Sequence, residues 1–305
     1  MTGVRMWLTD RLAYLPRLLQ NKVAEPLART AWPRRGSGNG QDPARVAIVS
    51  VNYNTVDLIS YLIFSLYRVV GPSRFDRVVI VDNGSVDGSV EVLRALAERG
   101  LIEVVLNRRQ RYHGPGLNQA ISMLARTWRP DGPPYVWILD SDVIVLRPEA
   151  VTDAVALCRR HRAAVAGDFN DDNSVYPSLR SLMIDPEQVW RRPIPPFEEA
   201  GDPSEAMQRR LLERGLDVLR FPYFSSGYAL HLGSGTLNAL LERGLTANRY
   251  FGWATQWAWS YQETIAGGRS GEIFRRFTEI FQREVPELSG PALAEACLRP
   301  HLLQI

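Results

Sequence analysis

The chain has 305 residues, enough for one large domain or one domain with substantial additions, and its 45% hydrophobic and 23% charged content is that of an ordinary soluble globular protein. A net charge of +3 and a pI near 9.0 suit an anionic small ligand or a membrane surface, but no basic tract carries interleaved aromatics, so nucleic acid is excluded as a partner. Cys158 and Cys297 match neither a zinc spacing nor a disulfide framework, no apolar stretch has the roughly 18 residues of a membrane span, and no secretion signal is visible, which makes the cytoplasm the expected compartment.

Residues 1–32 form a basic amphipathic extension in which Leu8, Leu12, Leu15, Leu19 and Val23 recur at helical spacing. Two readings stay open for residues 1–30: peripheral contact with the inner face of a membrane, or a helix packed on protein. Pro16 kinks or splits the helix in either case. Residues 33–44, rich in Gly, Pro and Ser, are a flexible linker.

From Arg45 the pattern alternates. Val46 to Val51 is a continuous apolar strand, Leu58 to Val70 a core helix containing Arg68, and Arg77 to Val81 a second strand. Val86 to Glu98 is helical, Ile102 to Leu106 a third strand, Leu117 to Thr127 a helix, and Tyr135 to Leu139 a fourth strand. Strands that are apolar throughout and alternate with helices predict an α/β fold, a mostly parallel central sheet with helices on both faces. In such a sheet the carboxyl ends share one edge, where ligands bind. Three polar segments fall there: Asn52-Tyr53-Asn54-Thr55, then Asp82-Asn83-Gly84-Ser85-Val86-Asp87-Gly88-Ser89, then Asp140-Ser141-Asp142. The carboxylate pair of the third suits Mg2+ or Mn2+, hard cations that also bind phosphate.

As a set, V-S-V-N-Y-N-T, V-I-V-D-N-G-S-V-D-G-S, the Asn107 to Asn118 stretch and I-L-D-S-D resemble the family 2-like glycosyltransferases of GT-A fold over Val46 to about Pro148. The resemblance implies a nucleotide-diphosphate sugar donor, commonly a UDP-sugar, and a glycan, lipid-linked or small-molecule acceptor. It implies that Val51, Tyr53, Asp82, Asn83, Asp140 and Ser141 bind the donor, with Tyr53 near the nucleoside and Asp82 on the nucleobase. Asp142 is the implied catalytic metal ligand, joined by Asp140, with Mn2+ or Mg2+ bridging the phosphates. Arg111, His113 and Asn118, in a loop that opens a helix, face the diphosphate or sugar, or else form an exposed basic loop with a capped helix. In S-S-G-Y-A-L-H-L-G-S-G-T, His231 stands where a late third metal ligand falls in several such enzymes; the other reading is a core histidine.

The later half departs from the family pattern, for no Glu-Asp pair follows the D-x-D motif at the usual remove. Glu263, Glu242, Asp168, Asp171 and Asp172 are then the candidates for a general base, with Glu263 taken as the catalytic one, and stereochemistry stays open. The aromatic run Asn248 to Tyr261 is either a sugar- or lipid-facing surface or a core helix. Glu272 to Ile305 reads as one or two amphipathic helices separated at Pro286 and Pro291. The expected organisation is thus 1–32 extension, 33–44 linker, 45–148 nucleotide-sugar half, 149–270 acceptor half and 271–305 C-terminal helices. The missing base motif keeps a catalytically inactive nucleotide-sugar-binding scaffold in view. A nucleotidyltransferase fits less well, because N-Y-N-T is a poor match to the Gly-rich basic loop of that class.

Overall fold

The computed structural model of the chain describes residues 32, 45–129, 132–169, 174–190, 197–198, 203–233, 268–300 and 302–305. The expected alternation is present as β1 (Val46–Asn52), α1 (Val56–Ser65), β2 (Phe75–Asp82), α2 (Ser89–Glu98), β3 (Glu103–Leu106), α3 (His113–Thr127) and β4 (Tyr135–Leu139). There follow β5 (Val143–Val145), α4 (Glu149–His161), β6 (Val165–Phe169), β7 (Pro177–Ile184), α5 (Pro186–Trp190) and α6 (Glu205–Glu213). Last come β8 (Val218–Arg220), β9 (Ala229–His231), α7 (Gly268–Glu284) and α8 (Gly290–Cys297).

The main sheet has the order β3-β2-β1-β4-β7-β6-β8. The strands β1 to β4 are parallel, β7 is antiparallel to both β4 and β6, and β8 is parallel to β6, so β7 alone runs against the rest. Side chains alternate between two cores. Val46 and Ile48 of β1 with Tyr135 and Trp137 of β4 meet α1, α2, α4, α7 and α8. Ala47 and Val49 with Val136 and Ile138 meet α3, α5 and α6. Both faces of these strands are covered, which is why they are apolar almost throughout, buried Ser50 being the exception before the strand ends.

Helix boundaries differ from the sequence expectation for local reasons. The helix expected from Val86 starts at Ser89, because the Val86 N–H is taken by Asn54 Oδ1 at 2.8 Å and the Val86 side chain is 83% exposed. The helix expected from Leu117 starts a turn earlier, at His113. The stretch expected as a helix from Leu58 to Val70 is α1 followed by a π-helical turn, Leu66–Val70, stopped by Gly71 at φ 87°. Within that turn Arg68 is buried, with its guanidinium 3.6 Å from Glu284 and donating to the Arg299 carbonyl at 3.1 Å. The charge that interrupts the apolar run is therefore a ligand for the C-terminal helices. Tyr61 and Phe64 of α1 pack edge-on against Phe277 and Phe281 of α7. Trp32 is buried in the α3-side core against Trp128 and Trp190, with ring centroids at 4.5 and 5.4 Å. The rest of the expected extension and linker lies outside the described residues.

Both cysteines are buried and unpaired in disulfide terms, and burial pushes each thiol from its ordinary 9.0 up to about 12. Because the folded-state value is raised, the unfolded chain loses thiol protons first. Stability is untouched below about pH 9 and falls as pH rises from there toward the folded value. A thiol-reactive chromophore at about pH 8 should therefore leave Cys158 and Cys297 unlabelled in the native protein and titrate both in denaturant. Rapid labelling of the native protein would contradict the burial.

Candidate functional site

The carboxyl ends of β1, β2 and β3 are level, since Asn52 pairs with Asp82 and Asp82 with Leu106. At the centre sits Asp82, with no exposed surface. Its Oδ1 accepts the N–H groups of Gly84 at 3.0 Å and Ser85 at 2.9 Å. Its Oδ2 accepts Ser85 Oγ at 2.6 Å and Asn52 Nδ2 at 2.8 Å. Ser85 Oγ in turn accepts the Asn54 N–H at 2.8 Å. Asp87 Oδ2 accepts the first N–H of α1, from Val56, at 2.8 Å, and its Oδ1 accepts Ser89 N–H at 3.0 Å. Gly84 has φ 81°, a conformation that favours glycine, and packs on the backbone of Arg109. Asp82, expected to contact a nucleobase, here meets four protein donors through its oxygens.

Asn83, also buried, donates from Nδ2 to the Tyr112 carbonyl at 2.8 Å and accepts Asn107 Nδ2 at 3.0 Å. Val51 is buried and lies against Gly116, where a Cβ would come within 3.0 Å of Val51 Cγ1. Tyr53 is half-buried just beyond β1, and Arg111 is exposed in the loop before α3. Asn118 donates from Nδ2 to the Phe197 carbonyl at 2.9 Å and accepts the Phe197 N–H at 2.9 Å, so its amide holds that segment.

The third segment hangs from β4. The Asp140 N–H bonds the Arg180 carbonyl of β7 at 3.1 Å, and Thr55 Oγ1 lies 3.3 Å from Ser141 Oγ, joining the first loop to the third. Beyond Asp142 the chain forms β5, which pairs antiparallel with β9 in a separate two-stranded sheet. Val143 faces His231 in that register, and the Leu232 N–H bonds the Asp142 carbonyl at 3.0 Å. His231 Nε2 is thereby 3.2 Å from Asp142 Oδ1 and 3.9 Å from Asp140 Oδ2. One ligand atom from each of Asp140, Asp142 and His231 falls within 4.8 Å of the others. Two carboxylates and an imidazole on one side of a small space fit a divalent cation that accepts mixed oxygen and nitrogen donors, Mn2+ above Ca2+.

Nearby lie Phe224, which had no sequence signal, and Asp168, one of the expected base candidates. The Phe224 ring lies 5.5 Å from the His231 ring, and its N–H bonds Asp168 Oδ2 at 2.7 Å. Asp168 sits where the β6–β7 register shifts, between Gly167 and Phe169. Irregularities of this kind re-aim side chains. Because β6 runs parallel to β4, Asp168 is on the same sheet edge as Asp140. Glu263, Glu242, Asp171, Asp172 and the aromatic run Asn248 to Tyr261 lie outside the described residues. A separate cavity of about 270 Å³, lined by Asp76, Arg77, Trp128 and Arg129, opens at the opposite, amino-terminal end of β2.

Residues 47–210 match the family model described as glycosyl transferase family 2. No curated protein matches the chain. Among solved structures, residues 1–349 of TarS from S. aureus are similar at 16% identity and TM-score 0.44, covering 61% of this chain and 59% of that one. The chain thus spans less than two thirds of that TarS fragment. The mannosyltransferase PcManGT from Pyrobaculum calidifontis, in complex with GDP-Man and Mn2+, is similar at 17% identity and TM-score 0.46, covering 92% and 93%. Glucosyl-3-phosphoglycerate synthase from Mycobacterium tuberculosis, in complex with Mn2+, UDP and glucosyl-3-phosphoglycerate, is similar at 17% identity and TM-score 0.45, covering 66% and 79%.

The Asp82 turn makes its own test. Asp82→Asn puts an NH2 group where the carboxylate accepts donors, and should lower unfolding free energy by about 3 kcal/mol in a urea titration. An unchanged midpoint would mean that the carboxylate is dispensable to the loops.

Proposed function

The chain belongs to glycosyl transferase family 2, and on that premise we propose that it moves a sugar from a nucleotide-diphosphate donor, a UDP-sugar by preference, to a hydroxyl of a glycan, lipid-linked or small-molecule acceptor, with Mn2+ or Mg2+ as cofactor. The observation that carries this reading is the convergence of Asp140, Asp142 and His231 within 4.8 Å at the edge where the three loops meet. Asp142 and Asp140 would hold the cation through carboxylate oxygens and His231 through Nε2. When bound, such a cation neutralises charge that grows on the departing diphosphate.

The protein's own groups do the rest of the work in this reading. Residues 45–148 hold the donor, with Tyr53 and Val51 at the nucleoside end, Ser141 between the two metal carboxylates, and exposed Arg111 beside the phosphates. Asp82 and Asn83 act by fixing the loops. Residues 149–270 shape the acceptor side. For an inverting transfer, Asp168 is the described carboxylate on that side. The acceptor oxygen bonds to the anomeric carbon as the bond to the diphosphate breaks; the hydroxyl proton passes to Asp168 and the electron pair leaves with the nucleoside diphosphate. Among the described residues no helix is long and apolar enough to cross a membrane. Any contact with an anionic leaflet would fall to residues 1–30, and a cytoplasmic location fits this reading.

Incubation with UDP- and GDP-sugars, with and without Mn2+, tests the proposal through donor hydrolysis or transfer. Asp142→Ala should abolish turnover with the unfolding temperature preserved; metal-independent turnover would defeat the cofactor assignment. Asp168→Asn keeps an oxygen for the Phe224 N–H, so the fold should survive while turnover falls about 100-fold or more. An unchanged rate would remove Asp168 from the chemistry.

A further inference from the structure

His113 is the first residue of α3, and the residues on both sides of it are fixed. Before it, Tyr112 has φ 62° and ψ 175°, a region populated almost only by glycine. Its carbonyl accepts Asn83 Nδ2 at 2.8 Å, so the strained conformation is held from the β2 turn. After it, Gly114 lies beneath the 197–198 segment, where a Cβ would be 2.5 Å from the Glu198 carbonyl oxygen. Asn118 pins that segment through both of its bonds to Phe197. The imidazole thus leaves a backbone with little freedom to move.

It is aimed at Asp140. His113 Nε2 and Asp140 Oδ1 are both closed to water and lie 3.5 Å apart. The other oxygen, Oδ2, is the one that faces His231, at 3.9 Å. We infer that His113 is a positioning residue: its Nε2 faces Asp140 Oδ1 at ion-pair distance, 3.5 Å, so that Oδ2 alone is presented to the cation side, and the strained Tyr112 backbone keeps it there. This rests on the metal reading given above. It also changes the part expected of His113, which serves a carboxylate of the site rather than the diphosphate or sugar. Outer partners of this kind orient a ligand and raise its affinity for a cation.

The test is a titration of the full-length chain with Mn2+ alone, read by the electron paramagnetic resonance signal of the free ion, with thermal unfolding in parallel. His113→Ala should weaken Mn2+ binding about 10–100-fold with the unfolding temperature kept. His113→Gln, whose amide can donate to Oδ1, should recover most of that loss. Tyr112→Gly should unfold no lower than wild type, since it relieves the backbone, yet bind Mn2+ more weakly. Wild-type affinity in His113→Ala, alongside lost affinity in Asp142→Ala, would overturn the positioning role and leave the metal site standing. Wild-type affinity in both variants would overturn the metal reading, and this inference with it.

Discussion

A carboxylate sealed from water is tolerable only when every lone pair is met, and the site of this chain depends on that condition being satisfied at Asp82. Four donors reach it, two from the turn backbone and two from side chains of Asn52 and Ser85. Asn52 belongs to the end of β1, and Ser85 Oγ also receives the N–H of Asn54. One negative charge therefore ties the loop after β1 to the loop after β2. Thr55 extends the tie to Ser141 in the loop after β4. Asn83 extends it in another direction, to Tyr112 and the start of α3. The loops after β1, β2 and β4, and the start of α3, are thereby joined in one frame. Preorganisation of that kind is what a site needs if charge is to be stabilised without moving the protein.

The strands that build the frame were legible because both of their faces are buried. A continuous apolar run such as Tyr135 to Leu139 leaves no choice of register between a wet and a dry side. The polar endings of those strands were legible for the complementary reason: Asn and Asp, which must have their polar groups met, fall at the carboxyl ends of β1 and β2 and not within their apolar runs. What the sequence hid was which polar groups are spent internally. Asp82 and Asn118 read as ligand residues in one dimension, and the fold brings each of them hydrogen-bonding neighbours that the sequence does not announce. For Asn118 the partner is Phe197, far along the chain, and nothing in its own segment signals that pairing.

His231 shows the opposite case. Its neighbourhood, a short apolar strand with glycines after it, is equally compatible with a core histidine. What brings it beside Asp140 and Asp142 is the pairing of β5 with β9, two strands of three residues each, too short for periodicity to register. The start of α3 is hidden for a third reason. Tyr112 occupies a backbone region in which sequence rules expect glycine, and Gly114 and Gly116 nearby invite the turn to be placed there instead. A strained residue is invisible to propensity because it persists only when its surroundings over-determine it.

The candidate metal ligands come from parts of the fold with unequal anchorage. Asp140 follows a strand of the main sheet and is bonded on one side to β7. His231 belongs to β9 of the two-stranded sheet, paired among the described residues with β5 alone. A two-stranded ribbon is marginal by itself, so the place of β9 depends on the Leu232 to Asp142 bond and on packing of Phe224 against the imidazole. Phe224 is in turn held by Asp168, the carboxylate proposed for the acceptor side. A cation taken up by all three ligands would therefore bind the weakly anchored ribbon to the rigid sheet. That would order Phe224 and Asp168 along with His231. In the proposed reading, the donor side and the acceptor side would be joined through His231, which touches Asp142 on one side and Phe224 on the other.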